Sequence, residues 1–168
     1  MLKLVIAEDE DIIRMGLVQT IDWQAMEVEL VGEAADGMEA LEQVKKLQPD
    51  VLLTDIRMPR LSGLELADKV LAMGQRTRVV FLTSYAEFDY AREALRLQAV
   101  DYLLKPVEEE ELAKVMQNIA KDLAKQAELE AGGENGPVSN REVKELTDWL
   151  YLLQEPGLCY HSEYHLTV

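Results

Sequence analysis

Leu2-Lys3-Leu4-Val5-Ile6-Ala7 is a strand-length, almost unbroken apolar run, and it stops against Glu8-Asp9-Glu10. Four more runs of this kind follow, at residues 28–31, 51–54, 79–83 and 100–104. Most are continuous rather than alternating, which is the pattern of strands buried on both faces of a parallel sheet. Segments of helical period lie between them. Ile12, Ile13, Leu17 and Ile21 mark the first. Met38, Leu41 and Val44 mark the second, over residues 36–47, with Asp36 and Glu39 as a capping box variant. Leu64, Leu66, Val70 and Leu71 mark the third, over residues 64–73. Ser84 and Glu87 open the fourth with a regular capping box, continued by Tyr90, Ala91, Ala94 and Leu95. Pro106, suited to an early helical position, precedes the fifth, with Leu112, Val115, Met116, Ile119 and Leu123 as its stripe. Strands alternating with helices five times in about 125 residues predict an α/β fold, a doubly wound five-stranded parallel sheet with right-handed crossovers.

Beyond this domain, residues 121–130 are good helix formers and extend the fifth helix to about residue 130. The run Ala131-Gly132-Gly133-Glu134-Asn135-Gly136-Pro137 breaks it. The organisation expected is therefore a domain over 1–125, a helix extension and linker over 126–140, and an acidic tail over 141–168. That tail can form one short helix with Val143, Leu146, Leu150 and Leu153 as its apolar face.

Composition narrows the function. Acidic residues outnumber basic ones 32 to 17 among 168 residues, for a net charge of −15. The chain alone is a poor binder of nucleic-acid backbones, which call for a basic patch. No apolar run approaches the length of a membrane span, and the N-terminal run is too short for an export signal. Cys159 is the single cysteine, which excludes an internal disulfide and a four-cysteine zinc site. His161 and His165 stand four apart in an unpatterned tail and are not read as a metal site.

In a doubly wound sheet, sites form at the carboxyl ends of the strands. The polar residues due there are Glu8, Asp9 and Glu10 after the first strand, Asp55 after the third, Thr83 and Ser84 after the fourth, and Lys105 after the fifth. Converging carboxylates need a cation to stay ionised together. A set of hard oxygen ligands without His or Cys selects Mg²⁺. Glu8, Asp9 and Asp55 contribute three negative charges, which Mg²⁺ and Lys105 balance. Such a cluster can draw a phosphoryl group onto a carboxylate nucleophile, with Lys105 and the Thr83 hydroxyl holding the other oxygens. Glu10, Asp11 and the acidic stretch 108–111 are read more simply, as carboxylates at helix N-termini.

Five segments in order carry a family resemblance: V-I-A-E-D-E at 5–10, D-V-L-L-T-D-I-R-M-P at 50–59, L-S-G-L-E-L at 61–66, V-V-F-L-T-S at 79–84 and D-Y-L-L-K-P at 101–106. Over about residues 1–125 the chain resembles the receiver domain of two-component response regulators. The resemblance implies a flavodoxin-like (β/α)5 fold with strand order 2-1-3-4-5. It implies Asp55 as phosphoacceptor, and Glu8, Asp9, Asp55 and the Arg57 carbonyl as the Mg²⁺ site. Thr83, Lys105 and Tyr102 become the phosphate-contacting and switch residues. Arg57 and Tyr85, two residues past Asp55 and Thr83, are expected to overhang the site and tune the acyl phosphate's lifetime, and the family resemblance gives Pro106 a preceding bond that is often cis. The acidic pair is Glu-Asp where Asp-Asp is commoner, and Gln98 stands where glycine is usual.

Residues 85–94, Y-A-E-F-D-Y-A-R-E-A, together with Ile21-Asp22-Trp23, are similar to regulators with an AraC-type DNA-binding output. The function so implied is a cytoplasmic, phosphorylation-dependent bacterial switch, regulatory rather than enzymatic. It is served by a sensor histidine kinase and forms a homodimer when phosphorylated. It reaches DNA only through an output domain not in this chain, and meets no membrane. Three other readings compete: a phosphorylation-independent scaffold, an Mg²⁺-dependent aspartyl-phosphate hydrolase and a flavodoxin-like binding module. The hydrolase wants a second aspartate where Arg57 stands, and the binding module wants a phosphate loop where Glu8-Asp9-Glu10 stands.

Overall fold

A computed structural model of the chain describes residues 1–74, 76–84 and 101–131. Strands β1 (Leu2–Ala7), β2 (Val28–Ala34), β3 (Val51–Asp55), β4 (Arg78–Thr83) and β5 (Asp101–Leu104) form one sheet. Every pairing is parallel and the order is β2-β1-β3-β4-β5, as the doubly wound reading expects. Helices α1 (Asp11–Gln19), α2 (Gly37–Leu47) and α3 (Gly63–Ala72) lie between strands, and a long helix spans Glu109–Ala131. The chain divides into two units, Met1–Leu123 and Ala124–Val168. Of the second, the end of the long helix lies within the described residues.

The continuous apolar runs are explained by two cores. Successive side chains in a strand point to opposite faces. Val5, Ala7, Leu52 and Phe81 pack with Leu41 and Val44 of α2 and Leu66 and Val70 of α3. Leu4, Ile6, Leu53 and Val80 pack on the other face with Leu17 of α1 and with Leu112, Met116 and Ile119 of the long helix. Both faces of the central strands are thus covered, and the first buried polar side chain of β3 is Thr54, next to its carboxyl end.

The caps set where helices start. Asp36 Oδ1 accepts from the amides of Met38 and Glu39, both at 2.9 Å, while Glu39 Oε2 accepts from Ala35 N. Glu39 therefore reaches one residue further back than in a regular capping box. Ser62 and Glu65 form a full box at α3, which sequence reading passed over.

Several expectations need correction. β2 runs on to Ala34, because backbone pairing with β1 continues past a bulge beyond the apolar run. Ile12 is 87% exposed and turns away from the core stripe assigned to it. Ile21 lies past the end of α1, although it still packs on the core. Leu71 is exposed, and Ala67 takes the buried position on α3. Pro106 does not open the long helix; it follows a cis peptide bond three residues before Glu109. The fourth helical segment with Tyr85 and Gln98, residue 100 of the fifth run, most of the linker and the tail with Cys159, His161 and His165 lie outside the described residues.

Candidate phosphoacceptor site

The parallel sheet delivers the site residues to one rim. Glu8 continues the β1–β2 ladder by one residue, its amide donating to the Ala34 carbonyl at 3.0 Å. Its side chain is wholly buried. Oε1 accepts from the Glu10 amide at 3.1 Å. Oε2 lies 2.9 Å from Lys105 Nζ, a charge contact rather than a directed hydrogen bond. Asp55 ends β3 and is 6% exposed. Its Oδ1 accepts from the Ile56 amide at 2.7 Å and its Oδ2 from Lys105 Nζ at 3.0 Å. Lys105 follows β5 and is held there by donating its own amide to the Thr83 carbonyl at 2.8 Å. Asp9 stands more open to solvent. One carboxylate oxygen from each of Glu8, Asp9 and Asp55 lies within 4.8 Å of the others.

The electrostatics follow from burial among like charges. Burial pushes the Glu8 carboxyl up to about 7, and the Asp55 charge adds to it; Lys105 and the Glu10 amide pull the other way without offsetting it. Burial pulls the Lys105 ammonium down, but its contacts with Glu8 and Asp55 outweigh that and hold it above the usual lysine value. One ammonium thus serves two buried carboxylates, and the third faces the opening. An all-oxygen donor set with this surplus of negative charge fits a hard divalent cation such as Mg²⁺.

A cleft of about 290 Å³ opens over the cluster, lined by Asp9, Glu10, Asp55, Arg57, Ser84 and Lys105. Of the residues singled out in sequence, Asp9, Asp55, Arg57 and Lys105 meet here, and Glu8 lies buried directly beneath. Thr83 is buried at the end of β4, its Oγ1 donating to the Ser84 carbonyl at 3.2 Å. Tyr102 is half-buried and packs against the core beneath α2 and α3. Tyr85 is outside the described residues.

Three residues that shape the rim went unassigned in sequence. A Cβ on Gly63 would lie 1.9 Å from the Asp55 carbonyl oxygen, and one on Gly37 would lie 2.0 Å from the Leu61 carbonyl oxygen. These glycines let α2 and α3 close on the loop that follows Asp55. The Ser62-Gly63 pair before an apolar period was the available signal. Arg14 of α1 donates to the Glu8 carbonyl at 2.7 Å, and nothing in the helical period announces that contact.

Comparison with known proteins gives a consistent family. The response regulator receiver domain matches residues 4–117. The transcriptional regulatory protein YesN of Bacillus subtilis, named as uncharacterized, is 36% identical over 126 residues, covering 75% of this chain and 34% of that protein. The transcriptional regulatory protein HptR of Staphylococcus aureus is 37% identical over 126 residues, covering 75% and 49%. The chain thus spans a third to a half of the length of these curated relatives. Among solved structures, the REC domain of AraT, a response regulator from Geobacillus stearothermophilus, superposes with a TM-score of 0.68 at 41% identity, covering 75% of this chain and 98% of that one. A two-component transcriptional regulator AraC from Clostridium phytofermentans gives 0.67 at 32% identity, covering 74% and 97%. With the fold, the strand order and the rim of carboxylates already in place, the match over residues 4–117 makes this chain a member of the response regulator receiver domain family, similar to the receivers of AraC-type regulators.

Proposed function

We propose that Asp55 is the phosphoacceptor of a two-component switch, charged by the phosphohistidine of a sensor kinase or by a small acyl phosphate. The observation that carries this is the convergence of Glu8, Asp9 and Asp55 within 4.8 Å, with Lys105 Nζ on Asp55 Oδ2. A carboxylate oxygen of Asp55 forms the new bond to phosphorus. The bond from phosphorus to the donor's nitrogen or oxygen breaks, and the donor atom leaves with the electron pair. Glu8, Asp9, Asp55 and the Arg57 carbonyl are the residues to hold Mg²⁺, which when bound draws the phosphoryl oxygens toward the nucleophile and neutralises their charge. Lys105, already on Asp55, moves onto a phosphoryl oxygen as the carboxylate becomes a neutral acyl group. The Thr83 hydroxyl then exchanges the Ser84 carbonyl for a phosphoryl oxygen, and Tyr102 turns inward.

This is a two-state element biased by one charged group. Its output is the surface of the fourth helical segment, β5 and the long helix, through which we infer a phosphorylation-dependent homodimer. The relatives named as transcriptional regulators support an AraC-type DNA-binding output domain outside this chain, and action in the cytoplasm, where DNA lies. In this reading 1–125 is the receiver, 126–140 its helix extension and linker, and 141–168 the approach to the output. The protein turns over no external substrate beyond its own phosphorylation and dephosphorylation. Arg57 and Tyr85 shield the acyl phosphate from water, so replacing both with small polar residues speeds its decay.

Intact-mass analysis after incubation with acetyl phosphate and Mg²⁺ tests the proposal: about 80 Da is added to the wild type. None is added to Asp55→Ala, and none in excess chelator. An adduct that persists in the variant overturns it.

A further inference from the structure

The structure assigns Arg14 a positioning role: its guanidinium fixes the peptide between Glu8 and Asp9 and so sets where the cation-binding carboxylates stand. This inference rests on the Mg²⁺ site proposed above. Three anchors hold the guanidinium. Nη1 donates to the Glu8 carbonyl at 2.7 Å, Nη2 donates to Asp11 Oδ1, and Nε lies 4.0 Å from Glu33 Oε2 at the end of β2. The Arg14 side chain is itself largely enclosed, at 16% exposure.

The two ends of Glu8 are thereby fastened to different elements, its amide to Ala34 of β2 and its carbonyl to α1. The consequence falls on Asp9. Among the described residues its carboxylate meets no hydrogen-bond donor, so its place is set by the backbone it hangs from. The plane of the peptide between Glu8 and Asp9 is that backbone, and Arg14 is the side chain that grips it. The hydrogen bonds of Arg14 go to a carbonyl and to the Asp11 carboxylate, and its looser ion pair to Glu33; both carboxylates lie outside the cluster. It orients the ligands without competing for them, as outer partners in metal sites do.

Charge and position predict opposite signs, which makes the role decidable. If Arg14 acted only as a nearby positive charge, its removal would tighten binding of a cation. If it served only the fold, the melting temperature would fall and the affinity would hold. The positioning role predicts weaker binding. The experiment titrates MgCl2 into the full chain, following amide shifts or heat well below each protein's melting temperature. Arg14→Ala should raise the Mg²⁺ dissociation constant on the order of 10-fold. Arg14→Lys restores a donor to the carbonyl but not the planar fork that also reaches Asp11. It should fall between the two. Unchanged or tighter binding by Arg14→Ala overturns the inference. Should that variant not fold, wild-type affinity in Arg14→Lys overturns it. A wild type that binds no Mg²⁺ defeats the metal site itself and this inference with it, and that failure is recognised because it appears before any substitution is made.

Discussion

Asp50 and Asp55 bracket the same five-residue strand and do opposite jobs. At the amino end of β3, the Asp50 carboxylate accepts from the Lys3 amide at 2.8 Å. Its own amide donates to the Lys3 carbonyl, and its carbonyl accepts from the Arg78 amide. Next to it the buried Thr77 hydroxyl donates to the Pro49 carbonyl at 2.7 Å. Every one of these contacts ends on backbone. At the carboxyl end, Asp55 shares a single lysine with Glu8, and Asp9 has no donor among the described residues. Asp50 has its charge satisfied locally, whereas at the other rim three carboxylates gather around one lysine, a surplus of negative charge that suits a cation. On the phosphoacceptor reading, an aspartate becomes a reactive group through what its partners leave undone, not through its position on a strand.

Exchanging the two residues gives the largest expected contrast. Asp55→Ala should abolish phosphorylation and leave a folded protein. Asp50→Ala should keep phosphorylation while losing about 1–2 kcal/mol of stability with its hydrogen bond to the Lys3 amide. Intact mass and chemical denaturation, run on both variants, read the two outcomes. Phosphorylation lost in Asp50→Ala at full folding would break the division between the rims.

The next effect tests how tightly the reactive rim is built. Gly63→Ala places a Cβ 1.9 Å from the Asp55 carbonyl oxygen. Alanine is the better helix former by about 1 kcal/mol, but backbone has to move to admit it, and overpacking costs about 1–3 kcal/mol. The contact wins, so stability and the initial rate of phosphorylation should both fall. Gly16→Ala in α1 is the control. Nothing lies within 4 Å of its Cβ, so it should gain about 0.5–1 kcal/mol. Equal melting shifts in the two variants would show that the loop after Asp55 yields more easily than the distance implies.

The sheet and the meeting of Glu8, Asp9, Asp55 and Lys105 at one rim were legible because continuous apolar runs in an alternating chain read as buried strands, and because their ends name the rim. Edges were less so. β2 is held by backbone pairing through Gly32 and Glu33, which no hydropathy pattern records. Ile12 has the right period for the core and yet faces water, because α1 buries a narrower face than its apolar content suggests. Arg14 was invisible for a different reason. Its contact is from a side chain to a backbone carbonyl six residues away across a loop, and it depends on where α1 begins rather than on residue type.

Removing a charge from each rim sharpens the comparison further. Among the described residues Asp9 is a carboxylate without a donor beside two others, so Asp9→Asn should raise the melting temperature in chelator, by no more than about 1 kcal/mol of stability. The same variant should lose most of the stabilisation that Mg²⁺ gives the wild type by mass action. Thermal melts with and without MgCl2 measure both. A variant that stays as Mg²⁺-responsive as the wild type would remove Asp9 from the site.

The smallest effect lies on the other rim, at Asp101, which opens β5. Burial raises its carboxyl above the usual aspartate range, and Glu111 on the long helix pushes it further, against the Tyr102 amide that donates to Oδ1 at 2.8 Å. The folded protein therefore binds this proton more tightly than the unfolded chain does. Its contribution to stability is fully present below the ordinary aspartate value and is lost as pH rises through the raised one. Asp101→Asn keeps an acceptor for the Tyr102 amide and removes the titration. In melts from acid to neutral pH with chelator present, the wild type should gain on Asp101→Asn toward acid and level off against it toward neutrality. Parallel curves would mean that the Asp101 charge is already compensated, as that of Asp50 is, and that the amino-end rim carries no strained carboxylate at all. A divergence would place one such group there, held apart from any metal by the full length of the sheet and therefore untouched when Mg²⁺ is added.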